Sequence, residues 1–511
     1  MSPLTFLIFI AFVPLFWLEA RTSNGARFFQ LVALNMFIWN LATTWWIWNA
    51  SPGGAAGAIV ANSMLMCFPW MLFRFTKQKL GKTIGYLAFI LYWITWEYIH
   101  HNWDLSWPWL TLGNVFSTNT QFVQWYEYVG TTGGSFWVLL VNVLLFKAIS
   151  ITNGSAKKID TKYAVGGLSA IIVPALLSTF LMSANTADND GALNNIVVIQ
   201  PNIHVDPQDP SKDEKFNTPP NILIEKMIAQ SESKIDANTR MVVWPETAIP
   251  VQVWEHEIPT DGYYQRVFEF VKKYPSIMLV TGIDSYKLWG ENNPGGFSIR
   301  TLKNGEHYEA FNTAMATDNT GKIVLYHKSK LVPGPESLPS WLGFMGSIFS
   351  DLGGSSGTLG KSDSAVVFSM PGNPYKTAPI ICYESIYSNY VTEYVRNGAN
   401  VLSIITNDGW WKNTPGYRQH ESMARLRAIE TRRWVVRSAN TGISCFINPN
   451  GTVLDAQPWD TAAVIKMNIP PRESLTFYAK HGDWLSNIAW PLAAIVLLWG
   501  VIIALKTRKA R

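Results

Sequence analysis

Three residues of this 511-residue chain carry side chains able to do covalent chemistry at the ends of short apolar runs. Cys382 closes the β-branched stretch in "TAPIICYESIYSNY" (377–390), Glu246 follows "VVWP" (242–245), and Lys328 follows "VLYH" (324–327). A thiol attacks as its thiolate, so it needs a base within reach and a field that favours negative charge. A carboxylate such as Glu246 can take the proton. An ammonium such as Lys328 can hold its charge against a tetrahedral oxyanion, beside the backbone N–H of Tyr383. A helix beginning just after Cys382 is expected to add the positive end of its dipole.

Taken singly, these signals are weak. A lone Cys on an apolar strand is usually packed core, which is the reading for Cys445. A Glu after "WP" can simply cap a strand or helix, and Lys328 with Lys330 can be an ordinary basic loop. The three cysteines, Cys67, Cys382 and Cys445, form no C-x-x-C pair and no ligand spacing with histidine. Neither a metal site nor a disulfide framework is expected from them. No G-x-S-x-G elbow or H-E-x-x-H pair nominates another chemistry.

The elements that must position these residues are short. "NIVVIQPNI", "TRMVVWPE", "SIMLVTGID", "TAPIICYE" and "NVLSIITND" read as strands ending in polar residues. "MATDNTGKIVLYHK" and "CFINPNGTVLDA" read as hairpins, and 417–433 has helical spacing at Met423, Leu426, Ile429 and Glu430. Single strands alternating with helices imply a layered α/β sheet whose strand ends carry the site.

Composition places this segment in a membrane protein. Aromatic residues make up 14 % of the chain, charged residues only 15 %, and Trp occurs 24 times. Long apolar stretches predict membrane helices at 3–19, 29–48, 55–75, 83–101, 133–150, 163–183 and 486–506, each near the ~20 residues that span a bilayer. Arg21 and Arg27, then Arg74 to Lys82, then Lys147 to Lys162, and finally Lys506 to Arg511 occupy alternate loops, and no Lys or Arg occurs from Phe28 to Phe73 or from Thr83 to Phe146. Basic loops stay cytoplasmic, so the N-terminus and the central segment are expected to face outward. The expected domains are 1–185 (membrane), 190–480 (catalytic), 486–506 (a final membrane helix) and 507–511 (a basic cytoplasmic tail).

Order and wording lift the three residues above their separate weakness. "WPE" (244–246), "K-x-x-L-V-P" from Lys328 with Glu336 five residues beyond Leu331, and "CYE" (382–384) together resemble the Glu–Lys–Cys triad of the nitrilase, or carbon-nitrogen hydrolase, superfamily. More specifically they resemble its membrane-bound branch, the apolipoprotein N-acyltransferases. "WPWLTLGN" (107–114), "TNDGWW" (406–411), "QHESMARLRAIETRR" (419–433), "RSANTGIS" (437–444) and one closing helix with a basic tail extend the likeness over nearly the whole chain.

The resemblance implies a polytopic α-helical membrane domain plus an α/β nitrilase-like αββα sandwich outside the cytoplasm. It implies Glu246 as general base, Lys328 as oxyanion-stabilising cation and Cys382 as the acylated nucleophile, with Glu336, Tyr383 and Glu384 supporting the site. The implied reaction is ping-pong acyl transfer from a membrane phospholipid to the α-amino group of a lipoprotein's N-terminal diacylglyceryl-cysteine. It needs no cofactor, metal or nucleic acid. A monomer in the bacterial cytoplasmic (inner) membrane, with its catalytic domain on the periplasmic side, is expected. The chain departs from the family in reading "P-G-P-E" (333–336) for "P-F-G-E", in offering only Phe216 for an expected Trp, and in starting at the family's second helix. The apolar stretch 337–349, with Trp341 and Phe344, reads either as an arm at the bilayer interface contacting substrate chains or as packing inside the catalytic domain. The aromatic loop 103–110 reads as a partner surface or an interfacial belt. A membrane-tethered amidase of the same fold, and a ligand-binding transporter or receptor, are the rival readings.

Overall fold

The structure is a computed structural model and describes residues 3–149, 159–185, 193–206, 209–338 and 358–509. The chain divides into two compact units. One comprises Met1–Trp45, Ala55–Asn185 and His481–Arg511; the other comprises Trp46–Gly54 and Thr186–Lys480.

The first unit is helical: α1 Val13–Arg21, α2 Gly25–Thr44, α3 Pro52–Leu65, α4 Cys67–Leu80, α5 Lys82–His101, α6 Tyr126–Ile149 and α7 Thr161–Ala184, closed by the C-terminal helix Trp484–Lys509. Among the described residues, five spans are long and apolar enough to cross a membrane: Leu4–Arg21, Pro52–Leu80, Tyr126–Ile149, Thr161–Ala184 and Trp484–Arg508. The stretches 29–48 and 83–101 fall on α2 and α5, each 20 residues long. Asn35 and Asn40 on α2, and the Tyr, Trp and His residues of α5, lower their hydropathy.

Several spans are not uniform helices. The first opens as a 3-10 helix, Pro3–Phe9, before α1. The 55–75 stretch breaks at Met66, where α4 restarts with Pro69 in its first turn, a position that forfeits no helical hydrogen bond. Gly130, at φ 61°, kinks α6.

The aromatic loop is not an exposed surface throughout. Trp109, Leu110, Leu112 and Phe116 are buried. Leu112 N donates to Glu97 Oε1 at 2.9 Å, and Tyr126 Oη donates to the Gly113 carbonyl at 2.9 Å. A side chain on Gly113 would lie 2.0 Å from the Thr131 carbonyl oxygen, so only glycine lets the loop reach α6 this closely. Within the loop itself Trp109 is buried, whereas Trp103 and Trp107 are half-buried.

The second unit is built on two sheets. In chain order the strands are β1 Asn195–Gln200, β2 Thr239–Val243, β3 Ile249–Trp254, β4 Met278–Gly290, β5 Arg300–Thr301, β6 His307–Thr317, β7 Ile323–His327, β8 Phe368–Ser369, β9 Lys376–Ile381, β10 Val401–Thr406, β11 Val435–Ala439, β12 Cys445–Ile447, β13 Val453–Leu454 and β14 Ala463–Asn468. The first sheet runs β14-β1-β2-β4-β6-β5, with β3 beside β4 and β7 beside β6; the second runs β13-β12-β11-β10-β9-β8. The β6–β7 hairpin turns at Gly321 and the β12–β13 hairpin at Gly451, both in the left-handed region that glycine accepts without strain.

A short helix, α8 Glu214–Asn217, precedes those on the outer faces, α9 Pro220–Glu232, α10 Gly262–Lys273, α11 Ser388–Arg396 and α12 Pro415–Thr431. α9 and α10 cover the first sheet through a cluster that includes Ile224, Met227, Val267 and Val271 against Val242, Trp244 and Leu279. α11 and α12 cover the second, and β1 packs against β11 between them. This is the αββα order of the nitrilase fold. β1, β2 and β4 run parallel, as do β9, β10 and β11, and their C-terminal ends open on one site.

Candidate active site

Each expected residue sits just past a strand. Glu246 follows β2 by way of buried Trp244 and Pro245, and is held against β4 by Gly282 N donating to the Pro245 carbonyl at 3.0 Å and Ala248 N to the Gly282 carbonyl at 2.9 Å. A Cβ at Gly282 would come within 2.3 Å of Thr247 N and 2.6 Å of the Glu246 Cα, so that glycine makes room for the turn. Lys328 ends β7, its N–H extending the hairpin ladder to the Asn312 carbonyl at 2.9 Å. Cys382 ends β9.

The structure brings the three together. Glu246, Lys328 and Cys382, with Glu336, line one cavity of about 400 Å³. Lys328 Nζ donates to Glu336 Oε1 at 2.8 Å and to Glu246 Oε1 at 3.3 Å. Asn312 Nδ2 bridges the same two oxygens, at 2.8 Å to Glu246 and 3.2 Å to Glu336, while Asn407 N donates to Glu246 Oε2 at 3.0 Å. Glu336 is fixed by its own turn, where Val332 N donates to Glu336 Oε2 at 2.8 Å. Gly334, in the departing "P-G-P-E", takes φ 94° and closes that turn by donating to the Ser337 carbonyl at 2.8 Å.

Cys382 adopts φ 48°, a conformation costly for any residue with a Cβ. Its neighbours enforce it. Ile381 N donates to Glu384 Oε2 at 2.8 Å, Ser385 Oγ donates to the Cys382 carbonyl at 2.7 Å, and His420 Nε2 stands 3.1 Å from that carbonyl. The chain then makes a short 3-10 turn, Cys382–Ile386, and the α-helix begins only at Ser388. This corrects the expectation of a helix directly behind the nucleophile. A five-residue turn adds little dipole, although the N–H of Tyr383 lies in its first turn, where helical donors lack internal partners.

Charges in the cavity are set against one another. Burial alone would depress the Lys328 ammonium, but the Glu336 and Glu246 carboxylates override it and hold the cation above its usual range. Burial pushes the Cys382 thiol well above its ordinary value, and Glu246 adds to that; the Lys328 charge and a Thr406 hydrogen bond oppose it. The balance favours the thiol form of the resting sulfur.

The other expected residues divide. Glu384 is fully buried and accepts from Tyr326 Oη at 2.6 Å, Ser329 N at 2.7 Å and Lys330 N at 3.2 Å. It clamps the Lys328 loop to the nucleophile strand and does not line the cavity. Tyr383 is buried with its ring edge-on to Tyr387, 5.4 Å between centroids. Lys330 points away, its ammonium 5.2 Å from the Tyr390 ring centroid. Trp341, Phe344 and the rest of the arm beyond Leu338 lie outside the described residues, as does the side chain of Phe216.

Sequence reasoning missed Asn312, Asn407, Asp284 and the buried trio Asp408, His420 and Arg437, in which Arg437 Nη2 donates to Asp408 Oδ2 at 2.8 Å. Asn312 had a signal, an amide within the apolar run "AFNTAMAT". Beyond the charged groups, the cavity wall is apolar and aromatic, with Phe311, Leu359, Trp410 and Trp411. A thiol, a carboxylate base and a cation in such a pocket suit acyl transfer from an apolar donor.

The pattern described as "Carbon-nitrogen hydrolase" matches residues 198–475, and that described as "Apolipoprotein N-acyltransferase N-terminal domain" matches residues 2–144. An apolipoprotein N-acyltransferase of Chlorobaculum tepidum is 29 % identical over 500 residues, covering 96 % of this chain and 91 % of that protein. One from Pseudomonas syringae pv. tomato is 25 % identical, covering 91 % of this chain and 86 % of its own. Among solved structures, a mutant amidase of the nitrilase superfamily from Nesterenkonia AN1 matches 58 % of this chain and 98 % of its own, at 14 % identity and a TM-score of 0.38.

Proposed function

The chain belongs to the carbon-nitrogen hydrolase family, in its apolipoprotein N-acyltransferase branch, and from that premise we propose that it transfers an acyl chain from a membrane phospholipid to the α-amino group of a lipoprotein's diacylglyceryl-cysteine. The observation that carries this reading is the meeting of Cys382, Glu246 and Lys328 in one cavity, with Lys328 Nζ 3.3 Å from Glu246 Oε1.

In the proposed first half-reaction Cys382 Sγ attacks the ester carbonyl of the phospholipid while Glu246 takes the thiol proton. Lys328 and the Tyr383 N–H hold the oxyanion. Collapse breaks the ester C–O bond, and the departing lysophospholipid oxygen takes the proton back from Glu246. The second half-reaction repeats these roles, with the amine attacking the thioester, Glu246 accepting an amine proton, and the thiol regenerated. The apolar wall suits an acyl chain, and the candidate membrane spans suit a chain whose substrates are lipids. We place the enzyme in the bacterial cytoplasmic membrane as a monomer, with the catalytic unit facing outward, on the alternation of basic loops.

Incubation of the purified full chain with phospholipid, followed by intact mass, tests this. The expected result is one acyl adduct on the wild type and none on Cys382→Ala, discharged by a diacylated lipopeptide into N-acylated product. No adduct overturns the reading, and discharge by water alone makes the protein an amidase-like hydrolase.

A further inference from the structure

Two acceptor groups in the cavity wall face the same way, and neither receives a hydrogen bond among the described residues. Asp284 on β4 and Asn312 on β6 pair directly across the antiparallel ladder, so their side chains share one face. Both line the cavity. The Asn312 amide is 94 % buried; its Nδ2 is committed to Glu246 and Glu336, and its Oδ1 has no hydrogen-bond partner among the described residues. The Asp284 carboxyl sits among charges: burial raises it first, Lys215 lowers it, Glu246 and Glu336 raise it, and the balance pushes it up to about 6. The Lys215 ammonium itself is directed to the hydroxyl of Thr247.

Unfilled acceptors next to a general base call for a donor with several hydrogens on one cationic atom. A hydroxyl brings one hydrogen. An anion would meet three carboxylates, Asp284, Glu246 and Glu336. Among the described residues no group of three or more His, Cys, Asp or Glu side chains is placed to hold a metal ion.

We propose that Asp284, together with Asn312 Oδ1, seats a primary alkylammonium group of a substrate. This rests on the acyl-transfer reading above and deepens it. The ammonium has two possible sources, the headgroup of an ethanolamine phospholipid in the first half-reaction or the α-ammonium of the acceptor in the second. Asn312 joins the seat to the chemistry, because the amide that would accept from the ammonium also holds Glu246 Oε1 at 2.8 Å. An acceptor amine seated there stands beside the base that must deprotonate it.

The test is Asp284→Asn in the full-length protein, with the half-reactions timed separately by quenched intact mass. Acylation is measured with phosphatidylethanolamine and with phosphatidylglycerol, and discharge with a diacylated lipopeptide and with hydroxylamine, which is mostly uncharged at neutral pH. If the acceptor is the source, the half-saturating lipopeptide concentration rises about tenfold or more while discharge by hydroxylamine moves by less than about twofold. If the headgroup is the source, acylation from the ethanolamine lipid falls about tenfold relative to the glycerol lipid. Equal effects on charged and uncharged substrates, or none, overturn the seat. A wild type that forms no acyl-enzyme instead sinks the acyl-transfer reading, and the seat with it.

Discussion

His420 Nε2 stands 3.1 Å from the carbonyl oxygen of Cys382, and its Nδ1 stands 3.0 Å from Asp408 Oδ1. The imidazole thereby ties the backbone of Cys382 to the buried Asp408–Arg437 pair. A non-glycine residue at φ 48° stores on the order of 1–3 kcal/mol, and persists only while its surroundings over-determine it. His420→Ala is expected to slow acylation of Cys382 by about 10²-fold, the cost of roughly 1 Å misplacement, with little change in the donor concentration at half-saturation. His420→Gln, which keeps an N–H donor toward that carbonyl, should recover part of the rate. Equal loss in both variants would assign His420 to packing alone.

Glu246 and Lys328 should separate in a simple alkylation assay. Glu246 raises the Cys382 thiol and Lys328 lowers it. Glu246→Gln should therefore leave more thiolate at a given pH and speed reaction with iodoacetamide, even as acyl transfer falls by about 10²-fold or more through loss of the base. Lys328→Met should slow both, with a loss of ~10²–10³ in acyl transfer by comparison with single oxyanion donors. Parallel changes in alkylation by the two variants would contradict this electrostatic balance.

The strand ends were the legible part of the sequence. Glu246, Lys328 and Cys382 could be chosen because an apolar run that stops at a reactive side chain places it at a strand end, and, for Lys328, because "DNTG" fixes its hairpin locally. Asn312 and Asp284 were not legible as a pair. Their contact exists only because β4 and β6, about 30 residues apart in the chain, are neighbours in antiparallel register. Glu384 was legible as a supporting residue but its means of support was not: the 3-10 turn swings it inward, where it accepts from Tyr326 and Ser329. His420 belongs to a helix whose apolar pattern was clear, but which of its polar residues faces the site depends on how that helix docks on the second sheet.

Lys328 also bears on stability. It is 1 % exposed between Glu246 and Glu336, so its removal leaves two carboxylates facing each other without a cation. Breaking such a buried pair typically costs ~3–5 kcal/mol. Lys328→Met should melt well below the wild type in detergent, and adding Glu336→Gln should restore much of the melting temperature without restoring turnover. Recovery of turnover in the double variant would show that the cation's role is only to neutralise the cavity.

Asp284 should make the protein less stable as pH rises. Its folded-state value of about 6 lies above the ordinary 3.8, so the folded protein holds this proton more tightly than the unfolded chain. Below about pH 4 the carboxyl is protonated in both states and no penalty applies. Between about pH 4 and 6 the penalty grows, and above about 6 it is complete, on the order of 3 kcal/mol at 1.36 kcal/mol per pH unit. The groups facing Asp284 are Lys215, Glu246 and Glu336, with Tyr264 and Tyr286 sensing its charge. Asp284→Asn removes the charge and nearly preserves the shape. Its melting temperature should exceed the wild type's at pH 8, and the gap should close as the pH is lowered toward 4. A gap of the same size at both ends of that range would mean that the substitution acts through packing, and that an uncompensated carboxylate is not what strains this wall.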